Sequence, residues 1–359
     1  MKEFQAKNKE ENLTWQEHIR KRPGMYLGRV DLKGFIDVIS GIHCDVVEDS
    51  TLKNEFTIEI ISNNSGRLTL KTIDKKPSNK WNPNYNEFSY NNQNLYNLNL
   101  RALSALSSKL KVCYYDLDGN LISHEIYIEG QLTSEPAKVE NTSYFEIDFE
   151  LDKKIWGEEF AISEFHLSHR LRELAFLQKD SKIRIKYSVD NEECIIIHQF
   201  KNGLKDRIEI EQLNGLGKCY FETHLTQKIE NFEIEVAFGF REYTVDEPFL
   251  KSYVNNFYTS EDGTHVEGLM NGLTFGIMKH FQKYKLVDKY KISEKGVKEN
   301  LIAAIHVKLE NPMFSGCVKN KLANPDIIEP IANKISTLLF KKIENDKEST
   351  KKLISKFEI

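Results

Sequence analysis

The stretch EHIRKRPGMYLG, from Glu17 to Gly28, contains residue types that suit an anionic ligand. A basic helical turn runs directly into Pro-Gly, and an aromatic residue precedes a second glycine. Basic side chains and exposed backbone N–H groups are common contacts to phosphates and nucleic acids. The stretch therefore indicates either a phosphate or DNA contact, or a helix and turn that support the surrounding domain.

Two other groups of residues do not have the spacing of a phosphate-binding or metal-binding site. The segment NGLGK, Asn214 to Lys218, lacks the spacing and the Ser/Thr of a phosphate-binding loop, and it predicts a turn. The five cysteines have no metal-ligand spacing, so we expect reduced thiols in a cytoplasmic protein. They are Cys44, Cys113, Cys194, Cys219 and Cys317.

Periodicity predicts the elements that would position these residues. Capping-box spacing at Thr14 predicts a short helix that ends before Pro23. Helical spacing of apolar residues predicts further helices, and period-2 alternation predicts strands between them. The predicted helices are 35–47, 162–178, 265–280 and 325–342, and the predicted strands are 56–61, 68–70, 110–130, 143–151, 182–189, 193–200, 232–240, 250–259 and 301–310.

The pattern changes near residue 150, which indicates two α+β domains. We expect domains at 1–150 and 151–345, followed by a helical tail at 346–359. Between the strands of the first domain, Lys75 to Leu100 is rich in Asn and predicts a long loop or lid, or a surface insertion.

Composition narrows the class of protein. The chain has 359 residues, 40% hydrophobic and 29% charged, with a net charge of −4, as in a soluble globular protein. No apolar run approaches the roughly 20 residues that span a bilayer, and the opening segment is too polar for a signal peptide. We expect a cytoplasmic protein with no membrane partner.

Five stretches resemble, in order along the chain, the ATPase-plus-transducer region of type IIA DNA topoisomerase B subunits, those of DNA gyrase and of topoisomerase IV. They are EHIRKRPGMYLG, LSALSSKLKV, HRLRELAFLQKDSKIRI, YVNNFYTSEDGTHVEGLMNGL and LIAAIHVKLENPMFSGCVKNKL. We assign the third of these to the first helix and strand of the transducer. The set extends over nearly the whole chain. Because the nucleotide-site motifs described below are altered, the opening stretch is better interpreted as framework.

The resemblance implies an α+β fold in two parts. The first is a GHKL-type ATPase domain, a mixed sheet backed by helices. The second is a transducer like domain 2 of ribosomal protein S5. In that family ATP dimerises the first domain, and the transducer relays nucleotide state to a DNA-cleaving core. The chain ends at Ile359, so we expect the cleavage domain to be absent.

The resemblance also assigns candidate site residues in DVVEDS. Asp45 takes the place of the family's catalytic Glu, and Asp49 takes the place of the Asn that ligates Mg²⁺, one helical turn later. Asp45 is a shorter arm than Glu, and Asp49 adds negative charge beside the triphosphate. An alternative register places Gly41 at the base position and leaves no base.

The remaining site motifs are altered. Asp74 or Thr72 corresponds to the adenine-binding Asp, but lysines and a proline replace the family's glycines. The Asn-rich segment replaces a glycine-rich phosphate lid. Ser143 falls near a family Thr that helps to bind the nucleotide, and it supplies either a hydroxyl to the site or only a turn. Lys319 is the retained lysine of a Gln-Thr-Lys loop that reaches the γ-phosphate, and its two polar neighbours are replaced by Cys and Val.

These observations support three hypotheses. The leading one is a stand-alone, divergent module with an eroded nucleotide site, a pseudo-ATPase that regulates DNA topology through a partner. The second is a working ATPase that uses ATP and Mg²⁺ through Asp45, Asp49 and Lys319. The third is a DNA-binding module that uses basic residues of the transducer. The expected partner is accordingly a second copy, a topoisomerase subunit or DNA. The basic residues of the third hypothesis are Arg170, Arg172, Lys182, Arg184 and Lys186.

Overall fold

The chain forms two compact units, Met1–Lys201 and Asn202–Ile359. The computed structural model describes residues 13–48, 54–72, 98–116, 118–135, 144–179, 181–216, 219–229, 231–242, 248–316 and 319–357. Within them, no helix is both long enough and apolar enough to cross a membrane.

The first unit contains six helices and eight strands among its described residues. The helices are α1 (Trp15–Lys21), α2 (Gly24–Leu27), α3 (Leu32–Glu48), α4 (Leu98–Ala105), α5 (Lys153–Trp156) and α6 (Glu164–Leu177). The strands are β1 (Asn54–Ser62), β2 (Ser65–Thr72), β3 (Ser107–Tyr115), β4 (Leu121–Ile128), β5 (Gln131–Leu132), β6 (Tyr144–Leu151), β7 (Ser181–Val189) and β8 (Glu192–His198). The predicted helices at 35–47 and 162–178 are confirmed as α3 and α6.

These strands form one mixed sheet in the order β5-β4-β3-β6-β2-β1-β7-β8. Alternate residues of the central strands are buried, among them Phe56 and Leu68, so one face of the sheet is apolar. Helix α3 lies against this face, where the rings of Phe35 and Phe149 have centroids 6.0 Å apart. The sheet and its helices therefore enclose one core.

The boundary between the units is at Lys201/Asn202, not near residue 150. Strand β7 pairs in parallel with β1, with Phe56 opposite Ile183, and β8 then pairs with β7. Helix α6 provides the crossover and buries Leu171 and Leu174. The stretch HRLRELAFLQKDSKIRI therefore completes the first sheet, and our assignment of it to a second domain was wrong.

The second unit contains five helices and five strands among its described residues. The helices are α7 (Leu204–Glu211), α8 (Thr264–Lys283), α9 (Glu294–Lys298), α10 (Ile328–Asn345) and α11 (Lys347–Ile354). The strands are β9 (Cys219–Ile229), β10 (Phe232–Arg241), β11 (Phe249–Val254), β12 (Phe257–Tyr258) and β13 (Leu301–Leu309). A π-helical turn, Gln212–Leu216, extends α7, and 3₁₀ turns occur at Pro325–Ile327 and Ser355–Phe357.

The second sheet has the order β12-β11-β13-β10-β9, and its β11–β13 pair is parallel. Helix α8 connects these two strands and packs along α10. Three glycines at four-residue spacing on α8, Gly268, Gly272 and Gly276, lie against α10. Since a Cβ at Gly272 would lie 2.6 Å from Cβ of Ile335, these glycines permit the close approach of the two helices.

The segment predicted as a tail belongs to the core of the second unit. Leu353 and Phe357 are buried, and the ring of Phe357 meets that of Phe281 edge to face at 6.1 Å. The N–H of Lys291 donates to the carbonyl of Phe357 at 3.0 Å. Residues up to Phe357 therefore stabilise this unit.

Candidate functional site

The basic turn of the opening stretch makes internal contacts. Thr14 and Glu17 form the predicted capping box of α1. Arg20 donates from Nη1 to the carbonyl of Ala105 at 2.8 Å, and its Nη2 pairs with Asp152. Burial acts to raise the pKa of Asp152, but Arg20 and the Lys154 amide lower it below its ordinary value. The interpretation of this stretch as framework agrees with these contacts.

Helix α3 carries the first candidate residue, Asp45, on its final turns. The structure describes the backbone of Asp45 as helical but not its side chain. Gly41, one helical turn earlier, lies against Asn99 of α4, and a Cβ at Gly41 would overlap the Asn99 amide. In the register that assigns the base position to Gly41, a larger side chain would therefore displace Asn99.

His43 lies two residues before Asp45 and is fully buried between α3 and the first sheet. Its Nε2 lies 3.0 Å from Oγ of Ser181, and its ring packs edge to face on Phe56 at 4.9 Å. Burial, together with the charge of Arg170, lowers the pKa of His43 to about 3, so its imidazole is neutral at pH 7. We did not single out this residue in the sequence, although its place on the apolar face of α3 is the signal that could have identified it.

Three candidate residues of the first unit, Asp49, Asp74 and Ser143, lie outside the described residues, as does most of the Asn-rich segment. Their proposed roles stay predictions. Among the described residues, no group of three or more His, Cys, Asp or Glu side chains could hold a metal ion.

Lys319 is the candidate residue that the structure describes with its side chain. It lies in the loop after β13, with backbone φ of 56°, in the left-handed region. Its Nζ lies 4.3 Å from the ring centroid of Phe257 on β12, within the range of a cation–π interaction. No pattern in the sequence indicated Phe257 as a partner.

The loop that carries Lys319 is attached to the segment before α8. The N–H of Leu322 donates to the carbonyl of Asp262 at 3.2 Å, and that of Thr264 donates to the carbonyl of Leu322 at 3.1 Å. Gly263 has φ of 135°, and a Cβ there would overlap the backbone of Leu322. Only glycine therefore permits this approach of the two segments without displacement.

A buried polar cluster lies next to this attachment, formed by the buried residues Ser252, Thr259 and His265 and by the half-buried Asp262. Oγ of Ser252 lies 2.6 Å from Oγ1 of Thr259 and 3.2 Å from Oδ1 of Asp262. Oγ1 of Thr259 lies 3.1 Å from Nε2 of His265. Burial, with His306 nearby, lowers the pKa of His265 to about 3. The cluster fixes the turn between β12 and α8, so the contacts of His265 are those of a structural residue.

The basic residues of the DNA-binding hypothesis lie in the first unit. Arg170 and Arg172 are on α6, and the other three are on β7. Nη1 of Arg184 lies 2.7 Å and Nζ of Lys182 lies 3.6 Å from the carboxylate of Glu55. Partial burial opposes the effect, but the two cations lower the pKa of Glu55. Glu55 thus offsets one of these two positive charges within the sheet. Our assignment of the set to the second domain was wrong.

Comparison with known proteins agrees with this architecture. The family model for DNA gyrase B matches residues 199–358, a segment that coincides closely with the second unit. The DNA gyrase B protein of Staphylococcus epidermidis is 25% identical over 338 residues, which cover 87% of this chain and 51% of the relative. That of Borreliella burgdorferi is 28% identical over 340 residues, covering 87% and 52%. The chain thus spans about half the length of these curated relatives.

Solved structures show the same fold. The 43K ATPase domain of Thermus thermophilus gyrase B, solved with an aminocoumarin, has a TM-score of 0.71 at 18% identity, covering 95% of this chain and 92% of that one. The topoisomerase IV ATP-binding domain of Francisella tularensis, solved with a small-molecule inhibitor, has a TM-score of 0.70 at 22% identity, covering 95% of each.

The fold is therefore that of the GHKL ATPase domains of gyrase B, with a mixed sheet backed by helices. Taken with the family match and the curated relatives, it supports a divergent region that is similar to type IIA topoisomerase B subunits.

Proposed function

We propose that this chain is a gyrase B-like ATPase–transducer module with an eroded nucleotide site, which binds ATP weakly and turns it over slowly or not at all. It acts in the cytoplasm as an interaction or regulatory partner in DNA topology, through a second copy or a topoisomerase subunit. The first unit is the GHKL-like nucleotide-binding part, and the second is the S5-like transducer.

This proposal rests on a contrast at Lys319 between the backbone contacts of its loop, which are present, and the polar neighbours of the lysine, which are replaced. The backbone that supports the lysine loop is well ordered by hydrogen bonds, since Leu322 is hydrogen-bonded to Asp262 and to Thr264. The polar residues that should act with the lysine are replaced, by Cys317 and Val318 in its own loop. Packing requirements account for the retained framework, and relaxed demand for hydrolysis accounts for the lost site residues.

The donor set still fits part of a Mg²⁺–ATP complex. Asp45 and Asp49 offer carboxylates, which are suitable Mg²⁺ ligands, and Lys319 offers an ammonium to a phosphate. In the proposed site Asp49 holds the metal, while Asp74 and Ser143 contact the nucleotide. Asp45 is one methylene shorter than the Glu it replaces. Because a displacement of about 1 Å can cost about 100-fold in rate, this substitution alone supports slow turnover.

The retained lysine also favours a second candidate, an active Mg²⁺–ATP-hydrolysing module. Calorimetry with a non-hydrolysable ATP analogue and Mg²⁺, followed by a phosphate-release assay, separates the two. The pseudo-ATPase proposal predicts weak binding, with phosphate release at or close to background in both the wild type and Asp45→Asn. Micromolar binding, with turnover well above background that Asp45→Asn abolishes, would establish the active module instead.

DNA binding is the remaining alternative, and salt-dependent retention on duplex DNA tests it. Because Arg184 and Lys182 are paired with Glu55, we expect no retention at low ionic strength. Retention that weakens in Arg184→Gln would favour a DNA-binding module.

A further inference from the structure

The side chain of Lys319 rests on an exposed aromatic ring. Phe257 is 42% exposed, although large aromatic side chains are commonly buried. Nζ of Lys319 lies 4.3 Å from the ring centroid, which is well inside the 6 Å limit for a cation–π contact. The contact restricts a flexible four-carbon side chain to one region of the surface.

The backbones that carry these two residues are joined just after the contact in both segments. Asn320, next to Lys319, accepts at its carbonyl from the N–H of Glu261 at 3.0 Å, and its side-chain amide donates to the Glu261 carboxylate. Leu322 forms an isolated parallel β-bridge with Gly263. The lysine therefore leaves a backbone that has a fixed position relative to β12.

The strand that carries Phe257 is held in place by the contacts of the two residues that follow Phe257. Thr259 follows β12 directly and belongs to the buried polar cluster with Ser252 and His265. Tyr258 pairs with Tyr253 of β11 in the sheet. Phe257 consequently lies on a strand whose backbone is anchored both by sheet pairing and by the buried hydrogen bonds of Thr259.

We propose that Phe257 is a positioning residue for Lys319, and that it presents the lysine ammonium to the terminal phosphate of a bound nucleotide. The inference rests on the proposed function, which supplies the ligand. An ammonium has three N–H donors, and a ring on one side leaves donors free for phosphate oxygens. A lysine that is already ordered loses less rotamer freedom when it binds, so the ring contact increases affinity.

Neighbouring residues on β12 offer a matched control. Tyr258 is 43% exposed, close to the value for Phe257, and Nζ of Lys251 lies 5.1 Å from its ring centroid. Phe257→Leu and Tyr258→Leu each remove one exposed ring and one cation–π contact from the same two-residue strand. They differ in which lysine loses its platform.

The test is calorimetry with two probes, a non-hydrolysable ATP analogue and ADP, each with Mg²⁺. We expect Phe257→Leu to weaken binding of the analogue about two- to fivefold, the range for an exposed cation–π contact, and to leave ADP unchanged. Phe257→Tyr keeps a ring and should restore affinity. Tyr258→Leu should change neither probe. A loss of affinity for both probes alike would indicate general disruption and overturn the inference.

Lys319→Met separates the inference from the proposed function. If Lys319→Met weakens the analogue and Phe257→Leu does not, the positioning role fails while the nucleotide contact stands. If Lys319→Met does not alter the preference for the analogue over ADP, or if the wild-type chain binds neither probe, both fail. In the Lys319→Met background, Phe257→Leu should have no further effect, and a full additive effect would overturn the positioning role.

Discussion

Gly272 of α8 and Ile335 of α10 approach so closely that a Cβ on the glycine would lie 2.6 Å from Cβ of the isoleucine. The carbonyl oxygen of Ala332 would lie 2.8 Å from the same atom. Two backbones therefore meet with no room for a methyl group, at the centre of the main helix pair of the second unit.

Replacing Gly272 by Ala should destabilise the second unit by about 1–3 kcal/mol, the usual cost of overpacking, even though Ala favours helix formation. Urea unfolding measures the change. Gly316→Ala is the control, because a Cβ there meets nothing within 4 Å. Equal stability of the two variants would show that the helices can separate at little cost.

Replacing Arg20 by Met should destabilise the first unit by about 3–5 kcal/mol, because it leaves Asp152 buried without its cation. The side chains of Arg20 and Asp152 are only 19% and 7% exposed. The matched control is Arg29→Met. Arg29 pairs with Asp31 at 2.7 Å, but its side chain is 69% exposed, so we expect a loss below about 1 kcal/mol. Similar losses in thermal or urea unfolding would contradict a framework role for Arg20.

The stability of the protein should fall as the pH decreases from about 6.5 towards 3. Burial lowers the pKa of His43 and of His265 from 6.5 to about 3 in the native state. In this window the unfolded chain takes up protons that the native chain does not, so each histidine contributes up to about 1.4 kcal/mol per pH unit. Stability is fully present above pH 6.5.

Urea unfolding at pH 7 and pH 5 measures this dependence. His43→Gln should reduce the slope by the share of one histidine, and His169→Gln, at an exposed position, should not. Histidine NMR titration provides a second measurement that needs no variant. A native His43 or His265 that gains a proton near pH 6.5 would rule out the explanation.

Replacing Phe357 by Ala should destabilise the second unit by about 3–5 kcal/mol, since its ring is 3% exposed and packs on Phe281. Phe275→Ala is the control, because Phe275 on α8 is 45% exposed and we expect a small loss. Thermal unfolding of the two variants compares them. If Phe357→Ala is as stable as wild type, the last residues of the second unit are a dispensable tail.

Much of the local structure could be predicted from the sequence. The capping box at Thr14, the apolar stripe of α3 and the alternation of β6 and β10 each appear in the structure where their patterns predict them. These features depend on residues within a few positions of one another, so the relevant energies are local. The ordered family resemblance similarly predicted the fold of the whole chain.

The candidate site was less accessible from the sequence. The resemblance indicated Lys319 but gave no partner for its ammonium, which the structure places over Phe257. The sequence likewise gave no hydrogen-bond partner for His265, which the structure places beside Thr259. The roles of Asp45, Asp49, Asp74 and Ser143 stay predictions, because they depend on side chains that the structure does not describe.

By itself, the sequence predicted α1, the four longest helices, most of the strands and the resemblance to type IIA topoisomerase B subunits. The tertiary structure alone decided where the first unit ends and what holds the Lys319 loop. Arg184 of β7 forms a hydrogen bond with Glu55 of β1, which is 129 residues earlier in the chain. Leu322 forms a parallel β-bridge with Gly263, which is also distant in sequence. Such pairings follow from how sheets and helices pack together, and no periodicity within either segment specifies its distant partner.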